Sequence, residues 1–233
     1  ERCDADVFVV LGVAHQGSQE RFVLTRKDFT TPFGQVPTDQ AFVDDLINTA
    51  GSRYLDDELT HRTEHSIEFQ VVFLQQVLGP VRPFSIVPIL VGSFHDLMRD
   101  GKDPIEDPAV ARFVEALRAA EGRSKKRVAY VGGIDLAHVG PQFGDHSPIS
   151  DETAQEVRSF DAALLDRAVQ GDAKGWFERA AEVNDRYRVC GLAATYTMIH
   201  AMGPARGSLL RYDQAINAER TCGVTFASVA YEV

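Results

Sequence analysis

The sequence predicts an α/β fold in which a central, mainly parallel or mixed sheet is covered by helices on both faces. Three observations carry that expectation. Residues 6–13 (DVFVVLGV), 84–92 (FSIVPILVG) and 127–134 (RVAYVGGI) are near-continuous apolar runs without alternation, as in strands buried on both faces. Amphipathic segments of helical period separate them, which is the β-α-β rhythm of a parallel sheet. The 233 residues are 44% hydrophobic, with no Ser/Gly or Pro-rich linker and no fixed-period repeat, so residues 1–233 are expected to form a single domain.

The elements follow in order. After the first strand, residues 21–25 suit a short strand and residues 28–34 (DFTTPFG) an irregular loop. Residues 38–50 read as a helix capped by Thr38 or Asp39, with Phe42, Leu46 and Ile47 inward and Gly51 at its end. Residues 63–79 (TEHSIEFQVVFLQQVLG) show the clearest helical period in the chain. Ile67, Val71, Leu74 and Leu78 form a stripe that Val72 and Phe73 widen, so a core helix burying most of its surface is expected, closed by Gly79-Pro80. Pro88 points to an edge position or a bulge for the second apolar strand. Residues 96–107 read as loop and residues 108–120 as an amphipathic helix with Pro108 in its first turn. Ser150 caps a long helix, residues 172–183 form a shorter one with the only tryptophan, Trp176, and residues 191–202 form an apolar one. Two strand candidates, residues 208–215 and 225–232, close the chain.

Charge and cysteine usage exclude some functions. With 34 acidic against 24 basic residues the net charge is -10, which repels phosphate backbones and argues against nucleic acid or an anionic membrane as main partner. The basic run at residues 123–127 suits a solvated turn. Cys3, Cys190 and Cys222 fit neither a disulfide framework nor a CxxC zinc site, which suits a reducing compartment. No run approaches the ~18 apolar residues of a membrane span and no leader is evident, so a cytoplasmic chain is expected. No GxSxG elbow, GxxxxGK[ST] loop or GxGxxG loop occurs, which leaves serine hydrolase, nucleotide triphosphatase and dinucleotide-binder readings unsupported.

The candidate chemistry lies at element ends. His15 follows the first strand, Asp135 and His138 follow the third, Cys222 lies between the last two strands, and Glu64, His65 and Glu68 stand at the head of the helix at residues 63–79. The carboxyl edge of an open α/β sheet is where ligands bind. Imidazole, thiolate and carboxylate together are the ligand types of a borderline transition-metal site. Each has a bland reading as well. His15 and His138 could hold their loops by hydrogen bonds, and His65 could pair with Glu68 one turn on, for about 0.2–0.5 kcal/mol. Cys190 reads as a small buried hydrophobe before a helix and His200 as a satisfied core histidine, while His61, His95 and His146 sit in polar loops with no evident partner.

EHSIEFQ at residues 64–70, LGVAHQG at 11–17, SIVPILVG at 85–92, GGIDLAHVGPQFG at 132–144 and Cys190-Gly191 occur in the order and spacing of the Memo family, which this chain resembles over nearly its whole length. The Memo fold is similar to that of class III extradiol dioxygenases, which cleave aromatic rings with a non-haem iron held by two histidines and a carboxylate. The resemblance implies that His15 is a metal ligand, that Cys222 stands in place of the carboxylate ligand, that His138 is an acid/base with Asp135 beside it, and that Glu64 and His65 line or buttress the pocket. One feature departs from the pattern: the family's first ligand histidine lies in an upstream Pro-His-Ala-Gly-Tyr strand motif that does not occur here. Either the chain lacks its N-terminal strand or this member has lost the ligand.

Two functions follow from the resemblance. One is a metal-dependent oxidoreductase with iron or copper on His15 and Cys222, acting on an unidentified small molecule, where a thiolate favours copper or redox chemistry over ring cleavage. The other is a non-catalytic module that binds a protein or peptide on a vestigial dioxygenase-like fold. Bacterial relatives resemble one component of the three-part AmmeMemoRadiSam set, whose radical-SAM member would then be the partner.

Overall fold

The computed structural model describes residues 3–232. Along the chain lie β1 (Val7–Val13), β2 (Phe22–Leu24), β3 (Phe29–Thr31), β4 (Gly34–Val36), α1 (Gln40–Ala50), α2 (Ser66–Leu78), β5 (Ser85–Val91) and α3 (His95–Arg99). They are followed by α4 (Pro108–Arg123), β6 (Val128–Gly132), β7 (His138–Val139), α5 (Asp151–Val169), α6 (Ala173–Ala181), α7 (Leu192–Met202), β8 (Arg206–Ile216) and β9 (Gly223–Glu232). The α/β class holds. The chain forms two compact units, one running to Phe94 and including Pro104–Gly133, the other made of His95–Asp103 and the residues from Ile134 onward.

The first unit is built on a mixed sheet in the order β2-β5-β1-β6. β1 pairs in parallel with β5 (Val7↔Ser85 to Val13↔Val91) and with β6, and β2 adds an antiparallel edge on β5. Alternation assigns the two faces. Phe8, Val10, Ile86 and Leu90 share one buried cluster with Ile67 and Val71 of α2. Phe22, one step out of phase with Val23 of that cluster, stacks on Phe113 of α4 with centroids 3.8 Å apart, so α4 covers the other face. Each large side chain fully buried this way contributes roughly 1.5–3 kcal/mol. The caps lie where the local sequence puts them: Asp39 accepts from the Phe42 N–H, Asp107 from Ala109 and Val110, and Ser150 from Thr153.

Five expectations are corrected here. α2 is not a core helix. Ile67 and Val71 are buried and Leu74 and Leu78 half-buried, but Phe69, Phe73 and Val77 on its outer side are 55%, 66% and 63% exposed. The helix packs by one face only, and its all-round apolar composition mimics burial. β6 is an edge strand and is half-buried throughout rather than enclosed. Residues 28–34 are not an irregular loop: they enter a small hairpin of β3 and β4, with Thr31 Oγ1 bonded to Gln75 of α2. β5 is interior, yet its Pro88 is tolerated because β2 pairs only as far as Leu24↔Ile89, so no ladder on that side requires the missing N–H. Residues 96–107, expected as loop, contain the single turn of α3 and a 3-10 turn at Pro104–Glu106.

The second unit carries the antiparallel sheet β7-β9-β8, with a register shift between Leu209 and Arg211. The closing pair of strands is therefore antiparallel. Trp176 of α6 is buried and donates its indole N–H to the Leu192 carbonyl at 3.0 Å, tying α6 to the start of α7. Nearly every residue of α7 is buried.

Candidate functional site

In the first unit the end of β1 and the head of α2 are stitched together. The Val13 N–H donates to Ser66 Oγ at 3.0 Å, and the Ala14 N–H to the Val91 carbonyl at 3.0 Å. Gly12 permits this approach, since a Cβ there would collide with Ser66 Oγ and with Ile67. The chain leaving β1 then delivers His15 to Glu64. The buried Glu64 carboxylate accepts the His15 backbone N–H on Oε1 at 2.6 Å and receives His15 Nδ1 on Oε2 at 2.8 Å, with the Gln16 N–H at 3.4 Å. A carboxylate partner assigns the proton to Nδ1, so Nε2 is the nitrogen that presents a lone pair.

His65, the residue before the first turn of α2, stacks on His15 with ring centroids 5.2 Å apart and an interplanar angle of 10°. Phe69 meets the edge of His65 at 5.4 Å. One ligand-type atom from each of His15, Glu64 and His65 falls within 4.8 Å of the others, the two imidazoles exposed and the carboxylate buried. Glu68, placed by the sequence in the same polar head, is exposed and outside this group, and His65 stacks on His15 instead of pairing with it.

In the second unit Asp135, His138 and Cys190 bring a carboxylate, an imidazole and a thiol within the same 4.8 Å. His138 begins β7. Its N–H donates to the Tyr187 carbonyl at 2.7 Å, its carbonyl accepts from Arg188 Nη1 at 3.0 Å, and its Nδ1 lies 3.1 Å from the Leu136 carbonyl. A carbonyl can only accept, so Nδ1 again carries the proton and Nε2 is left as donor of a lone pair. Cys190 Sγ donates to the Asp135 carbonyl at 3.5 Å, and the Gly191 N–H reaches the same oxygen at 3.2 Å. Burial first, then the neighbouring carboxylates of Asp135 and Asp185, push the Cys190 thiol up to about 12.

Cys222 belongs to the turn between β8 and β9. Its N–H donates to Asn217 Oδ1 at 2.9 Å, and it is in neither donor group found among the described residues. Cys190 is the functional candidate that reading the residues singly overlooked; the Cys-Gly dipeptide of the family pattern was its signal. Two histidines expected to lack partners have them. His61 is bonded through Nε2 to the Val23 carbonyl at 3.0 Å, with burial holding its pKa down to about 4, and His95 pairs with the buried Asp185 at 2.7 Å, a bond that raises its pKa.

The motifs quoted from the sequence have a counterpart in comparison with known proteins. The family model described as Memo-like protein matches residues 1–231. This chain belongs to the Memo family. Among curated relatives it is 28% identical over 234 residues to a MEMO1 family protein of Methanosarcina mazei, with 98% of this chain and 76% of that protein covered. A MEMO1 family protein of Archaeoglobus fulgidus is 29% identical over 236 residues, with 99% and 77% covered. One from Methanococcoides burtonii is 30% identical over 211 residues, with 89% and 69% covered. As a Memo-family chain it places both donor groups in the blocks that carry the resemblance: LGVAHQG with EHSIEFQ in one unit, and GGIDLAHVGPQFG with Cys190-Gly191 in the other. Among the described residues no helix is long and apolar enough to cross a membrane.

Proposed function

We propose that this Memo-family chain binds an iron or copper ion through His15 and supports redox chemistry on a small organic substrate. The observation that carries the reading is the buried Glu64 carboxylate that holds His15 by both its backbone N–H and Nδ1. A carboxylate on the far nitrogen of a ligating imidazole fixes its tautomer, aims the ring and raises its basicity. The donor set fits a borderline metal, since imidazole suits iron and copper alike. Glu64 has the residue type of a ligand, but His15 and Gln16 engage its two oxygens, so it orients the ligand. His65, parallel to His15, offers a second imidazole. A bound iron or copper ion would supply one-electron chemistry and an open position for substrate.

The test is elemental analysis of protein purified without chelator or oxygen. The unaltered chain should retain about one iron or copper per molecule, and His15→Ala and Glu64→Gln should lose about tenfold or more in affinity, with oxygen-dependent turnover falling in parallel. Metal content undiminished in both variants overturns the reading.

A further inference from the structure

We propose that the cleft between the β3–β4 hairpin and the C-terminal end of α2 is a binding site for a small apolar carboxylate, an acid with a hydrocarbon or aryl body whose head is taken by Arg82. The inference goes beyond the His15 reading and does not depend on it. β1 and β5 run in parallel from Val7↔Ser85, and the cleft borders Phe84, so it lies at the end of the strands opposite to the one that His15 follows.

Shape is the first argument. The cleft has a volume of about 450 Å³, within the range of small-ligand sites, and its apolar walls are Phe33, Val36, Pro37, Pro80, Pro83 and Phe84. The prolines have no N–H to leave unsatisfied against a hydrocarbon, and their fixed φ keeps the wall in place before a ligand arrives. The hairpin is pinned as well: Thr31 Oγ1 is bonded to Gln75 of α2, and Asp28 accepts the Thr38 N–H at 2.8 Å and the Gln35 amide at 3.0 Å. Gly34, at a φ of 111°, turns the chain back directly after Phe33, which is 57% exposed at the rim.

Charge is the second argument. Arg82 is the one ionised side chain on the walls. Its guanidinium donates to the Ala5 carbonyl and, at 3.1 Å, to the Cys3 carbonyl, and lies 6.0 Å from the Phe8 ring centroid. No carboxylate stands within ion-pair distance of it among the described residues, although the chain holds 34 acidic residues; Asp6, which feels its field, is taken by Arg127. A guanidinium carries more N–H donors than these two carbonyls use, and it holds carboxylates through them. The C-terminus of α2, with a partial charge of about -0.5, shares the cleft, so the net field suits a single charge spread over two oxygens and not a phosphate dianion.

The carboxamides are the third argument. Gln76 is exposed on the wall and makes no side-chain hydrogen bond among the described residues, and Gln75 gives only its amide oxygen to Thr31. Their amide N–H groups share the lining with Arg82 and are donors for the second carboxylate oxygen. Apolar walls that give affinity, with a few polar groups that give orientation, are the division of labour in small-molecule sites.

The test titrates the full chain with octanoate, followed by backbone amide NMR shifts, and repeats the titration with octan-1-ol and with octylammonium. Octanoate should saturate at one per chain, with the largest shifts at Phe33, Gln35 and Gly79, and bind about tenfold or more tightly than either analogue. Arg82→Gln should weaken octanoate about tenfold and leave octanol within about twofold, whereas Phe33→Ser, at a position more than half exposed, should weaken both about threefold or more. If Arg82→Gln does not fold, the acid-over-alcohol ratio of the unaltered chain carries the charge test. Shifts centred on Phe69, Phe73 and Val77, an affinity for the alcohol or the ammonium equal to that for the acid, or binding untouched by Phe33→Ser overturns the proposal. So does binding that chelator abolishes, since the acid is then a ligand of an ion at His15 and not of Arg82.

Discussion

The two donor groups solve the same problem, aiming an imidazole at the end of a strand, by different means. His15 is oriented by a charged side chain, the buried Glu64, which lies just ahead of α2, 49 residues away. His138 is oriented by neutral backbone: a carbonyl two residues earlier on Nδ1, and the Tyr187 carbonyl on its own N–H. A charged side-chain partner ties the site to the segment just ahead of α2. A backbone partner fixes direction and ties the site to the shape of a turn. Function in the first group should therefore fail through side-chain chemistry, and in the second through sterics.

Glu64→Ala should produce the largest effect. It strands the His15 and Gln16 N–H groups and Nδ1, and the expected cost is about 2–4 kcal/mol in denaturant unfolding, with His15-dependent metal retention lost. Stability and metal content unchanged from the parent would remove the distinction between the groups. Gly191→Ala comes next. The added methyl meets the Asp135 carbonyl and Ile134, so a loss of about 1–3 kcal/mol is expected in denaturant unfolding, with iron or copper content at His15 kept.

Asp161 provides a pH test of how a buried carboxyl behaves without the N–H donors that Glu64 enjoys. It is fully buried on α5 and faces the Tyr212 hydroxyl at 2.8 Å, and burial raises its pKa from 3.8 to about 6. The folded chain then holds a proton that the unfolded chain releases, so its stabilising share is present below about pH 4 and is lost as pH rises through about 6. Asp161→Asn should flatten that slope and stabilise the chain by about 1–3 kcal/mol above pH 6, measured by unfolding at several pH values. An unaltered slope would place the titration elsewhere. The smallest effect belongs to Glu68→Gln: being exposed and outside both groups, it should leave metal content within about twofold and stability within about 0.5 kcal/mol.

Much of the frame was legible because its signals are local. Apolar runs located β1, β5 and β6, the residues Asp39, Pro108 and Ser150 located helix starts, and the closing strands were found within a few residues. What failed depended on neighbours. Whether Phe69 and Phe73 are covered, or whether Val128–Gly132 is an inner strand, is decided by what lies beside them, and periodicity carries no record of that. The site divides the same way. His15, Asp135 and His138 could be placed at strand ends from the chain alone, but the Glu64–His15 bond and the closing of Cys190 onto Asp135 join residues 49 and 55 apart.

The outer side of α2 has a consequence for how the protein behaves as a colloid. Phe69, Phe73 and Val77 form a greasy strip on a chain whose net charge of -10 keeps copies apart at low ionic strength. The range of that repulsion shrinks from about 10 Å at 0.1 M salt to about 3 Å at 1 M, while the attraction between apolar strips survives. Salt should therefore raise its light scattering and column retention rather than disperse it, and a hydrophobic dye should report the strip in the fully folded state.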